Sequence, residues 1–164
     1  MRIALALLLA AVASAQCTSA EHRRFDFWIG EWNVEVNGQI VARSRIEKSA
    51  DGCIVIENWM PFGAGEGKSW NYFDRRTGRW EQVWVTSTGG VLKVAGGWQD
   101  GAMREQGVAQ RSGSADVMHR HSLTPLPQGR VRQFCEESSD SGKTWQVAFD
   151  GLYVPKKLAT NEHE

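Results

Sequence analysis

The sequence predicts an all-β fold: an antiparallel up-and-down β-barrel of about ten strands, with a short helical turn ahead of the first. Two observations predict it. Turn signals recur along the chain at Asn37-Gly38, Asp51-Gly52, Thr77-Gly78, Gly89-Gly90, Asp100-Gly101, Ser112-Gly113, Pro127-Gln128-Gly129 and Ser141-Gly142. Between them lie short stretches that alternate apolar and polar residues, as in Trp80-Glu81-Gln82-Val83-Trp84-Val85. Short, evenly spaced strands joined by tight turns form meanders, which close into a sandwich or a barrel.

The elements follow in order. Met1-Arg2-Ile3, the apolar run Ala4 to Val12, and Ala13-Ser14-Ala15 make a basic start, an apolar core and an A-x-A ending. This is the pattern of a secretory signal peptide over residues 1–15, with Gln16 as the expected mature N-terminus. The apolar run falls short of the roughly 20 residues a membrane-spanning helix needs. A lipid anchor on Cys17 is disfavoured, because Gln16 stands where a small residue belongs. Ala20 to Ile29 reads as a short helical turn. The expected strands then cover roughly 31–37, 39–48, 53–60, 68–73, 79–87, 90–96, 102–108, 115–124, 129–138 and 144–154. Asn37-Gly38 is the strongest hairpin signal, since both central residues of a type I′ turn need positive φ. Residues 16–154 form one domain, and the polar tail, 155–164, is expected to fray.

Formal net charge is zero, so the chain lacks the electrostatic footprint of a nucleic-acid binder. Eight tryptophans are many for a chain of 164 residues. Each couples a large apolar surface to one polar N–H, which suits cores and pocket walls. The three cysteines, Cys17, Cys53 and Cys135, fit one disulfide and one free thiol in an oxidising compartment. Cys17–Cys53 would tie the N-terminus to a strand, and Cys53–Cys135 is the alternative. Their spacings match no zinc motif, and no cofactor is implied.

Gly30-Glu31-Trp32 follows the helical turn and opens the first strand. It lies within Phe25-Asp26-Phe27-Trp28-Ile29-Gly30-Glu31-Trp32. Further matching segments are Gly52-Cys53, Glu57-Asn58-Trp59, Asn71-Tyr72-Phe73-Asp74, Gly78-Arg79-Trp80, Gln82-Val83-Trp84, Thr124-Pro125-Leu126-Pro127, Gly129-Arg130-Val131-Arg132-Gln133 and Asp150-Gly151-Leu152-Tyr153. Together they resemble an uncharacterised bacterial family of exported, lipocalin-like (calycin-type) proteins, a domain of unknown function. The resemblance spans nearly the whole mature chain and implies export and the barrel. It implies that Trp28, Gly30 and Trp32 close one barrel end, with the Trp of the G-x-W beneath a basic side chain from a late strand. It also favours the Cys17–Cys53 pairing. It brings no catalytic residues.

Ser138-x-Asp140-x-Gly142-x-Thr144-Trp145 resembles the Asp-box of sialidases, a structural hairpin turn. Its Asp and Ser bond local backbone N–H groups, so no catalytic role follows. Gly63-Ala64-Gly65-Glu66-Gly67-Lys68-Ser69 imitates a phosphate loop, but Phe62 stands where its first Gly belongs and no helix pattern follows. It reads as a loop at the barrel mouth. His119 and His121 stand two apart on a strand and share a face. One of them projecting into an apolar cavity would make a haem-binding barrel. With no supporting shell evident, neither haem nor metal is expected.

Function is best read from polar residues that share a strand face with apolar ones. Alternation sets Glu57 with Cys53, Val55 and Trp59, and Asn71 with Ser69 and Phe73. It sets Gln82 with Trp80 and Trp84, and Gln133 with Val131 and Cys135. If those faces point inward, Glu57, Trp59, Asn71, Gln82, Trp84, His121 and Gln133 line a mostly apolar cavity with a few convergent polar groups. The expected function is the binding of a small, partly apolar molecule, aromatic or lipid-like. The first rival is an enzyme on the same barrel with Glu57 as general acid or base, of isomerase, cyclase or epoxide-opening type. The second is a barrel filled by its own tryptophans, with no cavity.

Overall fold

The computed structural model describes residues 17–49, 51–110 and 115–156. The expected signal peptide, the Ser112-Gly113 turn and most of the polar tail lie outside them. Ten antiparallel strands run β1 (Gly30–Val36), β2 (Gln39–Lys48), β3 (Ile54–Pro61), β4 (Gly67–Asp74), β5 (Arg79–Thr86), β6 (Val91–Gln99), β7 (Ala102–Gln110), β8 (Val117–Pro125), β9 (Val131–Ser138) and β10 (Gln146–Pro155). Each pairs with its neighbours in sequence, and β1 pairs with β10, so the sheet closes into a barrel with no free edge. Closure removes the unpaired N–H and C=O rows that an open sheet would expose.

The hairpins follow the turn chemistry. Asn37 and Gly38 both have positive φ (52° and 76°), as do Asp100 and Gly101 (49° and 76°), so both turns twist with their flanking strands. The Asp-box turns β9 into β10. Asp140 accepts from the Ser138 hydroxyl (2.7 Å), from the backbone N–H of Lys143 and Thr144 (2.9 Å each) and from the Thr144 hydroxyl (2.6 Å). Those bonds, the Thr144 hydroxyl's first, hold its carboxyl down at about 2.

Ahead of β1 the chain makes two 3-10 turns, Glu21–Arg23 and Asp26–Trp28, rather than one helical turn over the whole stretch. They cap one end of the barrel. Phe25 meets Trp80 edge-on at 4.7 Å, Trp28 meets Tyr153 at 5.8 Å, and Phe27 meets Trp98 at 5.5 Å. Phe25 and Trp28 are wholly buried, each worth roughly 1.5–3 kcal/mol of apolar burial. Gly30, at φ 146°, turns the chain from this plug into β1. The Trp32 indole donates to the Trp28 carbonyl at 2.9 Å. Tyr153, supplied by β10, lies against the Trp32 ring at 6.1 Å.

Cys17 and Cys53 are joined, with Cα atoms 4.9 Å apart. Cys53 lies one residue before β3, so the bond staples the plug to the β2–β3 turn at the same end. A Cys17 sulfur held this way cannot carry a lipid. Cys135 is free and buried. Among the described residues no helix is long and apolar enough to cross a membrane.

Candidate functional site

Register sets the interior. Across the barrel wall Ile46 faces Glu57, Glu57 faces Ser69, Asn71 faces Gln82, and Gln82 faces Val94. Farther round, Glu105 faces His121, His121 faces Cys135, Leu123 faces Gln133, and Val34 faces Tyr153. Side chains on one face of a sheet stay in register from strand to strand. Ser44, Glu57, Ser69, Asn71, Gln82, Glu105, His119 and His121 are accordingly all buried. A belt of polar groups crosses the middle of an otherwise apolar barrel.

The belt is internally bonded. Gln82 donates its amide to the Asn71 side-chain oxygen (2.7 Å), and Asn71 donates to the Ser69 hydroxyl (2.9 Å) and to the Val55 carbonyl (3.0 Å). Ser69 and Ser44 donate to the two carboxyl oxygens of Glu57, at 3.4 and 2.9 Å. The Tyr153 hydroxyl lies 2.9 Å from Glu57 Oε1 and 2.8 Å from the Gln133 side-chain oxygen. Partners of this kind offset the roughly 1–3 kcal/mol that each unsatisfied buried polar group would cost.

Tyr153 carries one hydroxyl proton and faces two acceptors. The arrangement closes when Glu57 is a neutral acid that donates to Tyr153 while Tyr153 donates to Gln133, or when the Gln133 amide is turned. Burial favours the neutral acid. It raises the Glu57 pKa from its ordinary 4.5, against the lowering pull of the Ser44, Tyr153 and Ser69 bonds and the nearby His121. Burial, and then the adjacent Glu57, likewise hold the Tyr153 hydroxyl well above its ordinary 10.

The polar belt forms the floor of a cavity of about 170 Å³. Glu57, Gln82, His121, Gln133 and Tyr153 supply its polar lining; Trp59, Trp84, Leu92, Cys135 and Phe149 supply apolar wall, and His119 completes it. Trp59 and Phe149 meet edge-on at 5.9 Å. A recess of about 230 Å³ shares Trp84, Leu92 and His119 with the cavity and reaches Thr86 and Gly90 in the β5–β6 turn. The cavity therefore lies toward the end opposite the plug. The β3–β4 loop, with the phosphate-loop lookalike, sits at this same end. Gly67 at its close makes room for Trp84: a Cβ there would come within 2.4 Å of the indole ring, which would have to shift. Larger recesses, about 530 and 590 Å³, lie on the outer wall among Arg79, Arg104, Arg120 and Glu136, and among Arg45, Lys68 and Trp70.

Opposite Glu57 in the ring stands a second acid. Glu105 and His121 face each other across β7 and β8, with Nε2 and Oε2 2.9 Å apart and side chains 0% and 1% exposed. Glu105 Oε1 has no hydrogen-bond partner among the described residues. His119 Nδ1 lies 3.7 Å from Glu137 toward the mouth. The Cys135 thiol, pushed up to about 12 by burial first and by Glu57 second, stays protonated.

Six residues expected at a site, Glu57, Trp59, Gln82, Trp84, His121 and Gln133, therefore meet in one space. Asn71 does not reach it. It is wholly buried behind Gln82 and acts as a relay between Gln82 and Ser69. Trp28, Gly30 and Trp32 stand at the plugged end. Sequence reasoning missed Glu105, Tyr153, Ser44, Leu92 and Phe149. Alternation from Met103 would have put Glu105 inside, but the weak apolar pattern around it gave no reason to look. A porphyrin exceeds the drug-sized ligands that fill roughly 300–1,000 Å³ and does not fit this cavity, and Glu105 already engages His121 Nε2. No group of three or more metal-ligating side chains is assembled among the described residues.

No family model matches the chain, and no curated protein matches its sequence.

Proposed function

We propose that the chain is an exported binding protein for a small, neutral, ring-sized molecule, and that it belongs to the exported lipocalin-like family its motifs resemble. One observation carries the reading: the internal cavity coincides with the end of the polar belt, so its floor offers hydrogen bonds and its walls offer aromatic surface. The volume sets the ligand's size. About 170 Å³ compares with the roughly 150 Å³ engineered cavity that holds benzene, and it is too small for a long acyl chain. Polarity sets its charge. A neutral Glu57 and a Glu105 already engaged with His121 offer an anionic ligand no counter-charge. Trp59, Trp84 and Phe149 would hold the apolar body. Glu57 Oε2, held only by the 3.4 Å contact to Ser69, and Gln133 would orient the polar end. The disulfide and the tripartite N-terminus support export, and an intact mass beginning at Gln16 in the exported fraction tests it.

Titration of tryptophan fluorescence with phenol, cyclohexanone, benzoate and hexanoate tests the binding reading. Saturable binding of the neutral ring compounds, weakened in Trp84→Ala, is expected. Preference for the two anions, or no binding of any of the four by ligand-free protein, would overturn it.

A further inference from the structure

The Glu105–His121 pair has no place in a simple carrier. Two ionisable groups in a barrel interior carry a desolvation penalty, and apolar residues of similar volume often serve stability as well or better. A base that lines a cavity and is held from behind by a buried acid has the arrangement of an oriented general base. Resting on the cavity as a ligand site, we propose that it also transfers protons: His121, oriented by Glu105, takes a proton from the carbon beside the carbonyl of a small neutral enone, and Glu57 gives one to the carbonyl oxygen.

Three features of geometry lead there. First, Glu105 fixes the tautomer. A carboxylate oxygen 2.9 Å from Nε2 accepts the N–H, so the lone pair resides on Nδ1, the nitrogen left for an occupant of the cavity that His121 lines. Glu105 is a positioning residue; His121 is the base. Second, the strand order places β3 and β8 five steps apart in either direction around the ten-stranded ring, so Glu57 and His121 face one another across the space. A ring-sized ligand between them touches both. Third, with the Gln133 amide turned to donate to Tyr153 and Tyr153 donating to Glu57 Oε1, the proton of the neutral acid stands on Oε2, whose partner is the Ser69 hydroxyl at 3.4 Å, and can meet a carbonyl oxygen. The other titratable groups on the cavity are His119, beside Glu137; the Cys135 thiol; and Tyr153.

The step balances without a co-reactant. In a β,γ-unsaturated ketone the α C–H bond breaks and its proton goes to His121 Nδ1. The freed pair becomes a C–C π bond, and the carbonyl π pair moves to oxygen, which takes the Glu57 proton. The dienol then collapses. The enol proton returns to Glu57, and the imidazolium delivers its proton to the γ-carbon. The product is the conjugated enone, and both side chains regain their starting state.

Cyclohex-3-en-1-one is the probe, with the rise in conjugated-enone absorbance as the readout and cyclohexanone binding followed in parallel by tryptophan fluorescence. Wild-type protein should accelerate isomerisation saturably. His121→Gln and the isosteric Glu57→Gln should each lower the rate by a factor of about 100 or more, the usual worth of a general acid or base. Retained near-ultraviolet circular dichroism of the tryptophans shows that the variants fold. Glu105→Gln should lower the rate less and displace the rising limb of the rate–pH profile, which a merely structural loss would leave in place. Wild-type protein that binds cyclohexanone but isomerises the probe no faster than buffer overturns proton transfer and leaves the carrier standing. So does an unchanged rate in His121→Gln. Wild-type protein that binds neither compound overturns both.

Discussion

At the plugged end, Phe25, Trp28, Trp32 and Trp80 are buried against one another and Tyr153. At the other end, Trp59, Trp84 and Phe149 share the same inward parity, yet they stand around a cavity of about 170 Å³. The residue types match; the covering element does not. Residues 21–28 lie across the first end, and the disulfide pins them there. No such element crosses the mouth among the described residues. One barrel thus has an end whose aromatic residues hold the fold together and an end whose aromatic residues are available to something else. Substitutions should separate along that line.

Trp28→Ala should have the largest effect on the fold, about 3–5 kcal/mol, the range for emptying a buried aromatic site. Urea denaturation reads it. A loss under 1 kcal/mol would show that the plug is not what stabilises this end. Next comes the staple. Cys17→Ser opens a crosslink of sequence separation 36 and should cost about 3–4 kcal/mol by the chain-entropy estimate, with cavity binding retained at temperatures where the fold persists. Equal loss of binding and stability would mean that the two ends are not separate. Trp84→Ala should do the reverse. It should cost stability little, because Trp84 is only half-buried, and weaken neutral-ring binding about tenfold, or ~1.4 kcal/mol. Calorimetric titration decides.

The smallest effect is a pH dependence. Glu57 is raised above its ordinary 4.5 by burial. At pH values between 4.5 and its folded pKa, the unfolded chain has released a proton that the folded one keeps. The group's contribution is therefore fully present below pH 4.5 and is lost as pH rises through that window. Glu57→Gln should flatten this part of the stability–pH curve and gain on wild type toward neutral pH. A variant that follows the wild-type slope would place the titration elsewhere.

The strands were legible because turn chemistry and period-two alternation are local. Asn37-Gly38 and Asp100-Gly101 announce hairpins whatever the rest of the chain does. Which polar residues face inward was legible for the same reason, since parity within β3, β4, β5 and β9 needs no partner strand. Depth along the barrel axis was not. Trp80 and Trp84 lie four residues apart on one face, and nothing local says that one is sealed beneath Phe25 while the other borders a cavity. Asn71 and Gln82 are likewise equivalent in pattern, and only cross-strand register puts the first behind the second. The Glu105–His121 pair depends on the register of β7 against β8, which joins two residues that sequence alone gave no reason to couple. That the stretch ahead of β1 makes two 3-10 turns rather than one helical turn was not legible, because 3-10 turns carry almost no periodicity.

The hydrogen bond between Tyr153 and Glu57 joins residues 96 apart in the chain. It forms only when β10, the last strand synthesised, closes against β1. Ser44 and Ser69 can reach Glu57 as soon as β2, β3 and β4 are together, but an unclosed barrel still admits water, and a hydrated carboxylate stays ionised. Sealing the barrel should turn it into the neutral acid. Assembly of this protein is then a proton-consuming reaction, with the uptake delayed to its final, highest-contact-order event. Refolding at about pH 5.5 in a weak indicator buffer should show alkalinisation in step with the last phase of tryptophan burial, because protons bound differently by two states are exchanged when they interconvert. A trace with no uptake, or uptake in the earliest phase, would show that Glu57 does not wait for Tyr153.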